Sequence, residues 1–275
     1  MFVKNILVTG ASSGIGKDLV IKLLNEGHTV YCGARRVDNM LDLKILGATV
    51  LKIDVRDEEQ INAAIAKMIE EVGHIDIVYS NAGYPIAGPV EETPIEKVHA
   101  LFDTNVYGAA RVARAVLPHM RERNQGRIIF TTSIAARVST SMNSWYSATK
   151  HALNGMAKGL SQEVADFNIQ ISTIEPGCVQ TELDAIQLRD MKETNQLSAY
   201  KVIVDKSHQF LHDAYRKGAT PESTVNHMLK AGFDSKPKLS YQTTLDAKLM
   251  TFVQRVIGEK ALGSIFLKLI KRTSI

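Results

Sequence analysis

Six short apolar runs punctuate the first two thirds of the chain: NILVTG (5–10), TVYCGA (29–34), TVLKIDV (49–55), IDIVYSNAG (75–83), GRIIFTTS (126–133) and IQISTIEPG (169–177). Stretches of helical period separate them, over 15–27, 58–73, 94–123 and 145–167. Near-continuous apolar strands alternating with helices imply a parallel sheet covered on both faces. Crossovers in such a sheet are right-handed, so a doubly wound α/β domain is expected. Residues 218–232 read as a further helix with a proline start, and KLSYQTT (238–244) as a last strand. With 275 residues, one large domain spanning 1–275 is the natural division.

The first run feeds TGASSGIG (9–16), which opens the first helix. That context gives a glycine pattern its meaning. Gly10 permits a tight turn, and Gly14 and Gly16 allow close backbone approach. The helix N-terminus offers free N–H groups and a positive dipole end to a pyrophosphate. The second run ends at Ala34, and Arg35 and Arg36 follow it. An acidic residue in this loop suits a ribose 2′-hydroxyl, whereas arginine suits a 2′-phosphate. Asp54 can accept from an adenine amino group or cap the helix over 58–73. Further on, SWYSATK (144–150) places Tyr146 and Lys150 four apart, hence on one helical face. A nearby ammonium favours a phenolate and brings the phenol toward the pH at which proton transfer is effective.

Charge and cysteine usage exclude several classes. The formal net charge is +4, with lysine and arginine scattered, so nucleic acid is not expected as a partner. Two cysteines, Cys32 and Cys178, make no disulfide framework and no zinc spacing. No metal site is read. The N-terminus has no signal-peptide pattern and no stretch is long enough to span a bilayer, which makes the cytoplasm the expected location.

TGASSGIG, SNAG (80–83), TNVYG (104–108), Ser133, YSATK (146–150) and PGCVQT (176–181) occur in that order. In this the chain resembles the compact, single-domain short-chain dehydrogenases/reductases over about residues 3–180. The resemblance implies a Rossmann-like fold with seven parallel strands and a nicotinamide cofactor. It implies Tyr146 as general acid/base and Lys150 as the residue that binds the nicotinamide ribose and lowers the phenol pKa. Ser133 would hydrogen-bond the substrate oxygen, and Asn105 would hold a water linking Lys150 to solvent. The cofactor cleft would comprise Gly10, Ser12, Ser13, Gly14, Ile15, Gly16, Arg35, Arg36, Asp54, Val55, Asn81, Ala82, Gly83, Pro176, Gly177, Val179 and Thr181, with Tyr146 and Lys150. Two positions depart from common family forms. Ser80 stands where asparagine is frequent, and Ser13 stands where many NADP-dependent members carry a basic residue. A preference for NADP(H) then rests on Arg35.

The expected activity is hydride transfer between NADP(H) and a carbonyl or secondary alcohol, in the manner of a carbonyl reductase or alcohol dehydrogenase. A non-catalytic dinucleotide-binding regulator is the alternative, and it has no need of Asn105, Ser133, Tyr146 and Lys150. The small-molecule substrate is expected to be mostly apolar. Ser133, Tyr146, Ala135, Val138, Met142 and Trp145 would line its site, with Leu183 from the segment 178–217. That segment lacks regular alternation and reads as a mobile lid. Arg137 is the one charge that could turn inward. The tail ALGSIFLKLIKRTSI (261–275) is apolar and basic together. It is expected to pack on its own domain or on another copy in a homo-oligomer rather than on a bilayer.

Overall fold

The computed structural model describes residues 2–193 and 198–274, without the side chains of Leu183 and Ser198. Seven strands form one parallel sheet: β1 (Asn5–Thr9), β2 (Thr29–Ala34), β3 (Thr49–Lys52), β4 (Ile77–Ser80), β5 (Gly126–Thr131), β6 (Ile169–Glu175) and β7 (Ser240–Gln242). Their order is β3-β2-β1-β4-β5-β6-β7. The helices are α1 (Gly14–Asn25), α2 (Leu41–Ile45), α3 (Glu58–Val72), α4 (Ile95–Phe102), α5 (Ala109–Glu122), α6 (Ser144–Glu163), α7 (Glu182–Glu193), α8 (Ser198–Arg216), α9 (Pro221–Phe233), α10 (Leu245–Ile257) and α11 (Glu259–Arg272). The fold is the expected seven-stranded, Rossmann-like α/β architecture.

Alternation of side chains along each strand builds two cores. Leu7, Val78, Ile128 and Phe130 face α3, α5 and α6, where Ile65, Met68, Val112, Val116, Leu153 and Ala157 meet them. Ile6, Val8, Ile77, Tyr79 and Ile129 face the opposite layer, which holds Leu19, Val20 and Leu23 of α1 with Val225 and Met228 of α9. Burial on both faces explains why these strands read as continuous apolar runs. After β3 the chain returns across β1 to form β4, and the strand order reverses there. A crevice opens beyond the carboxyl ends of β1 and β4.

Several boundaries differ from the sequence expectations. β3 stops at Lys52 and β4 at Ser80, because the residues that follow turn into the crevice. The helix over 58–73 is capped by Asp57, whose carboxylate accepts from Gln60 N at 3.1 Å. Asp54 instead accepts from the Arg56 guanidinium at 2.6 Å. The rod over 94–123 is interrupted by a wide π turn, Asp103–Gly108, between α4 and α5. The terminal stretch of 145–167 is a 3₁₀ turn beyond Glu163.

The described residues of the segment 178–217 are largely helical. They contain α7 and α8, which bury Met191 and Val204 against Ala87 and Met142. Asp190 is anchored by Ala87 N at 2.8 Å and by an ion pair with Lys97. The apolar residues look sparse in sequence because only one helical face is buried, a pattern of period 3.6 rather than of runs. Leu197 lies outside the described residues. α11 continues from α10 and buries Leu262, Phe266 and Ile270.

Candidate active site

The crevice floor is set by contacts between the ends of β1 and β4. Thr9 Oγ1 accepts from Asn81 N at 3.1 Å and from Ala82 N at 3.2 Å, and Asn81 Nδ2 donates to Gly10 O at 3.3 Å. Space for a side chain is absent at two glycines. A Cβ on Gly10 would lie 2.7 Å from Ala82 Cα, and one on Gly16 would lie 2.5 Å from Asn81 Nδ2 and collide with the Gly10 carbonyl. Gly10 and Gly14 also have positive φ, 70° and 55°, a region that favours glycine. The N-cap of α1, Ser13, makes no side-chain cap hydrogen bond, and the first turn has no acidic residue. The helix therefore presents unpaired N–H groups and uncompensated positive potential to the crevice. Arg35 and Arg36 flank it at the surface. Arg36 lies 3.8 Å from Glu182, and Arg35 closes no ion pair among the described residues. This cradle fits a dinucleotide diphosphate.

A cavity of about 640 Å³ runs from this cradle along the strand ends. All nineteen sequence-predicted cofactor positions line it, from Gly10 to Thr181. At its centre stand Ser133, Tyr146 and Lys150. Ser133 sits just beyond β5, and its Oγ accepts from Ala135 N at 3.1 Å. Tyr146 and Lys150 lie on the first turns of α6, with the Lys150 ammonium 5.6 Å from the phenol ring centroid. Lys150 is 4% exposed and donates to Thr131 O at 2.9 Å.

The electrostatics differ from the sequence expectation. Burial pushes the Tyr146 phenol up to about 12, opposed by its hydrogen bond with Ser133. Burial also draws the Lys150 ammonium down to about 8. Without ligand, desolvation outweighs any help the ammonium gives the phenolate. Asn105 is buried beside the cavity: its Oδ1 accepts from Tyr84 N at 3.0 Å, and its Nδ2 donates to Tyr84 O at 2.9 Å and to Thr149 Oγ1 at 3.2 Å.

Of the expected substrate-side residues, Ala135 and Val138 line the cavity. Met142 does not: it is turned into the small core under α7 and α8. Trp145 does not line it either, and the Leu183 side chain lies outside the described residues. Arg137 points away, into an ion pair with the fully buried Glu175 at 2.5 Å. Further residues complete the wall. Asn143 is the N-cap of α6, three residues before Tyr146. Phe210, Leu211, Ala214 and Tyr215 form one face of α8, and Met250 and Phe266 come from α10 and α11. The spacing of the α8 residues, i, i+1, i+4 and i+5, was a legible helical stripe. A polar chain crosses this wall: Tyr215 Oη donates to Gln187 Oε1 at 2.5 Å, and Gln187 Nε2 donates to Asn143 Oδ1 at 3.0 Å.

The short chain dehydrogenase family model matches residues 4–192. The chain belongs to this family. It is 29% identical over 260 residues to the probable short-chain type dehydrogenase/reductase VdlC of Helicobacter pylori, covering 94% of this chain and 95% of that protein. It is 28% identical over 287 residues to human retinol dehydrogenase 8, covering 96% and 88%. Among solved structures, a short-chain dehydrogenase from Streptomyces avermitilis superposes with a TM-score of 0.81 at 30% identity, covering 99% and 98%. Solved neighbours carry NADP or NAD, and oxidoreduction with a nicotinamide dinucleotide is the chemistry of the family.

A buried ammonium with one carbonyl partner costs stability while it is charged. The folded value near 8 lies below the unfolded 10.5. Below pH 8 the cost is therefore complete, and it is relieved as pH rises from 8 toward 10.5. Lys150→Met is expected to raise Tm by a few degrees at pH 7, with the gain shrinking across that window, while turnover collapses. Calorimetry of both proteins at pH 7 and pH 10 tests this, and a lower Tm for the variant at pH 7 contradicts it.

Proposed function

We propose that the protein is an NADP(H)-dependent oxidoreductase acting on the carbonyl or secondary alcohol of a mostly apolar small molecule. The observation that carries this reading is the convergence of Tyr146, Ser133 and Lys150 on one cavity that begins in a diphosphate cradle. When bound, the nicotinamide supplies or accepts the hydride. Tyr146 Oη holds the proton that neutralises the substrate oxygen. With its pKa held near 12, the phenol is protonated at neutral pH, which suits reduction. Oxidation needs the phenolate, and a positively charged ring nearby favours it. Ser133 donates to the same oxygen as negative charge builds there. The Lys150 ammonium, fixed by Thr131 O, holds the ribose side of the cleft and supplies positive potential.

Arg35 and Arg36 at the end of β2 support NADP(H) over NAD(H). No carboxylate competes for a 2′-hydroxyl at Ala34, and a guanidinium fork matches a 2′-phosphate. The apolar wall of Ala135, Val138, Phe210, Leu211, Met250 and Phe266 supports an apolar substrate. Human retinol dehydrogenase 8, a relative over most of its length, is named for an apolar alcohol. Arg137, paired with Glu175, offers nothing to an acidic substrate.

Tyr146→Phe keeps the ring and removes the proton. It is expected to lower turnover at least ~10²-fold with dinucleotide binding retained. Reduction of a ketone panel followed by NADPH absorbance, beside fluorescence titration of the dinucleotide, checks this. Near-parental turnover would refute the acid/base assignment.

Arg35→Asp sets a carboxylate against the 2′-phosphate. The parent should prefer NADPH over NADH in kcat/KM by at least ~10-fold, the worth of about 1.4 kcal/mol. The variant should lose or reverse that preference. Equal kcat/KM for the two dinucleotides in the parent sinks this part of the reading.

We also take α7 and α8 to be a lid over the substrate end. Limited proteolysis should cut within 178–217 without ligand and be suppressed by NADP(H) with substrate. Equal resistance in both states would make the segment a rigid cap.

A further inference from the structure

The described surface carries one long apolar stripe on a helix. Leu245, Leu249, Phe252 and Val256 of α10 are 83%, 63%, 66% and 66% exposed. Their spacing, i, i+4, i+7 and i+11, puts them on one face. The opposite face is used by the domain, with Ala247 and Thr251 buried. This stripe is distinct from the tail helix α11, which buries Leu262, Phe266 and Ile270 and leaves Ile265, Leu267 and Leu269 exposed at 44%, 42% and 46%. No helix among the described residues is long and apolar enough to cross a membrane. The stripe is a surface feature.

Charge says what covers it. Residues 245–275 contain six basic side chains and two acidic ones, which accounts for the whole net charge of +4. The preceding 244 residues are neutral in sum. Lys248 and Arg255 flank the stripe on α10. Lys268, Lys271 and Arg272 lie on the outer side of α11, and all five are exposed. A second copy docking through the same face would set this positive charge against itself. An anionic surface would be attracted.

We propose that the α10–α11 hairpin is a docking surface for an anionic lipid bilayer, with the α10 stripe dipping into the headgroup boundary and the basic residues meeting lipid phosphates. An amphipathic helix with apolar and basic faces lies in such an interface without spanning it. The same hairpin walls the substrate end of the cavity through Met250 and Phe266. Resting on the substrate reading above, this makes the docked face the side from which an apolar carbonyl compound dissolved in the membrane would enter.

The test is co-sedimentation of the full chain with vesicles of phosphatidylcholine alone or with about one quarter phosphatidylglycerol. Binding is expected to the anionic vesicles, to weaken in salt as screening sets in, and to be slight on neutral ones. Each basic residue near the surface strengthens partitioning about fivefold. The variant K268E/K271E/R272E should therefore lose most binding. L249D/F252D should lose at least ~10-fold, through lost apolar insertion. Tm and the reduction of a water-soluble carbonyl probe should be unchanged in both variants, because none of the substituted residues lines the cavity. Absence of binding to anionic vesicles overturns the proposal, as does L249D/F252D binding like the parent. A dimer in solution that L249D/F252D converts to monomer also overturns it, by making a second copy the occupant. Vesicle binding requires no turnover, so a failed oxidoreductase assay and a failed docking assay are separate results.

Discussion

The approach of the first turn of α1 to the ends of β1 and β4 governs the rest of the molecule. A dinucleotide diphosphate can reach unpaired backbone N–H groups only if nothing projects from the turn, and Gly10 and Gly16 have no room for a Cβ. Thr9 joins the two strand ends by accepting from Asn81 and Ala82. These contacts lie where the strand order reverses, so the crevice is a consequence of topology. Once its floor is fixed, β5 delivers Ser133, and α6 delivers Tyr146 and Lys150 one turn apart on the same side. The reactive groups thus belong to rigid elements, and loops have little part in placing them.

That rigidity has an energetic signature. Lys150 is held in a site that removes most of its hydration and returns one main-chain carbonyl. Tyr146 keeps accessible surface only because it faces the cavity, and its surroundings are protein. Each group is therefore disfavoured in its charged form. A mutually stabilised ammonium and phenolate is not the resting state. Strongly shifted pKa values gathered in one cleft are a common feature of functional sites.

How much of this was legible in the sequence depended on what each residue had to satisfy. TGASSGIG was readable because its glycines answer to backbone geometry, which is local. The strands were readable because burial on both faces leaves an unbroken apolar run. The hydrogen bonds of Asn105 to Tyr84 and Thr149 were not legible, because they join residues 21 and 44 positions away. Met142 and Trp145 were misplaced for a related reason. Met142 precedes α6 with a left-handed backbone, φ 63°, and that turn takes it under α7 and α8 while Asn143, the N-cap, lines the cavity. The wall contributed by α8, α10 and α11 stayed hidden because those helices use one buried face each, and their contacts are set by packing on distant loops.

The two halves of the cavity therefore answer to different constraints. The dinucleotide end is built from strand termini and tight turns within the first 181 residues, where a change of one methyl group collides with backbone. The substrate end is built by helices after residue 182, through side chains such as Phe210, Tyr215, Met250 and Phe266 that can change size without disturbing a strand. Substitution there alters pocket shape at the cost of packing alone. The Tyr215–Gln187–Asn143 chain is a polar feature of that wall. It lies between α7, α8 and the start of α6, so it ties the helices over the substrate end to the element that carries Tyr146. A substrate oxygen meeting Asn143 would bear on the packing of α7 and α8 and on the orientation of α6 at the same time.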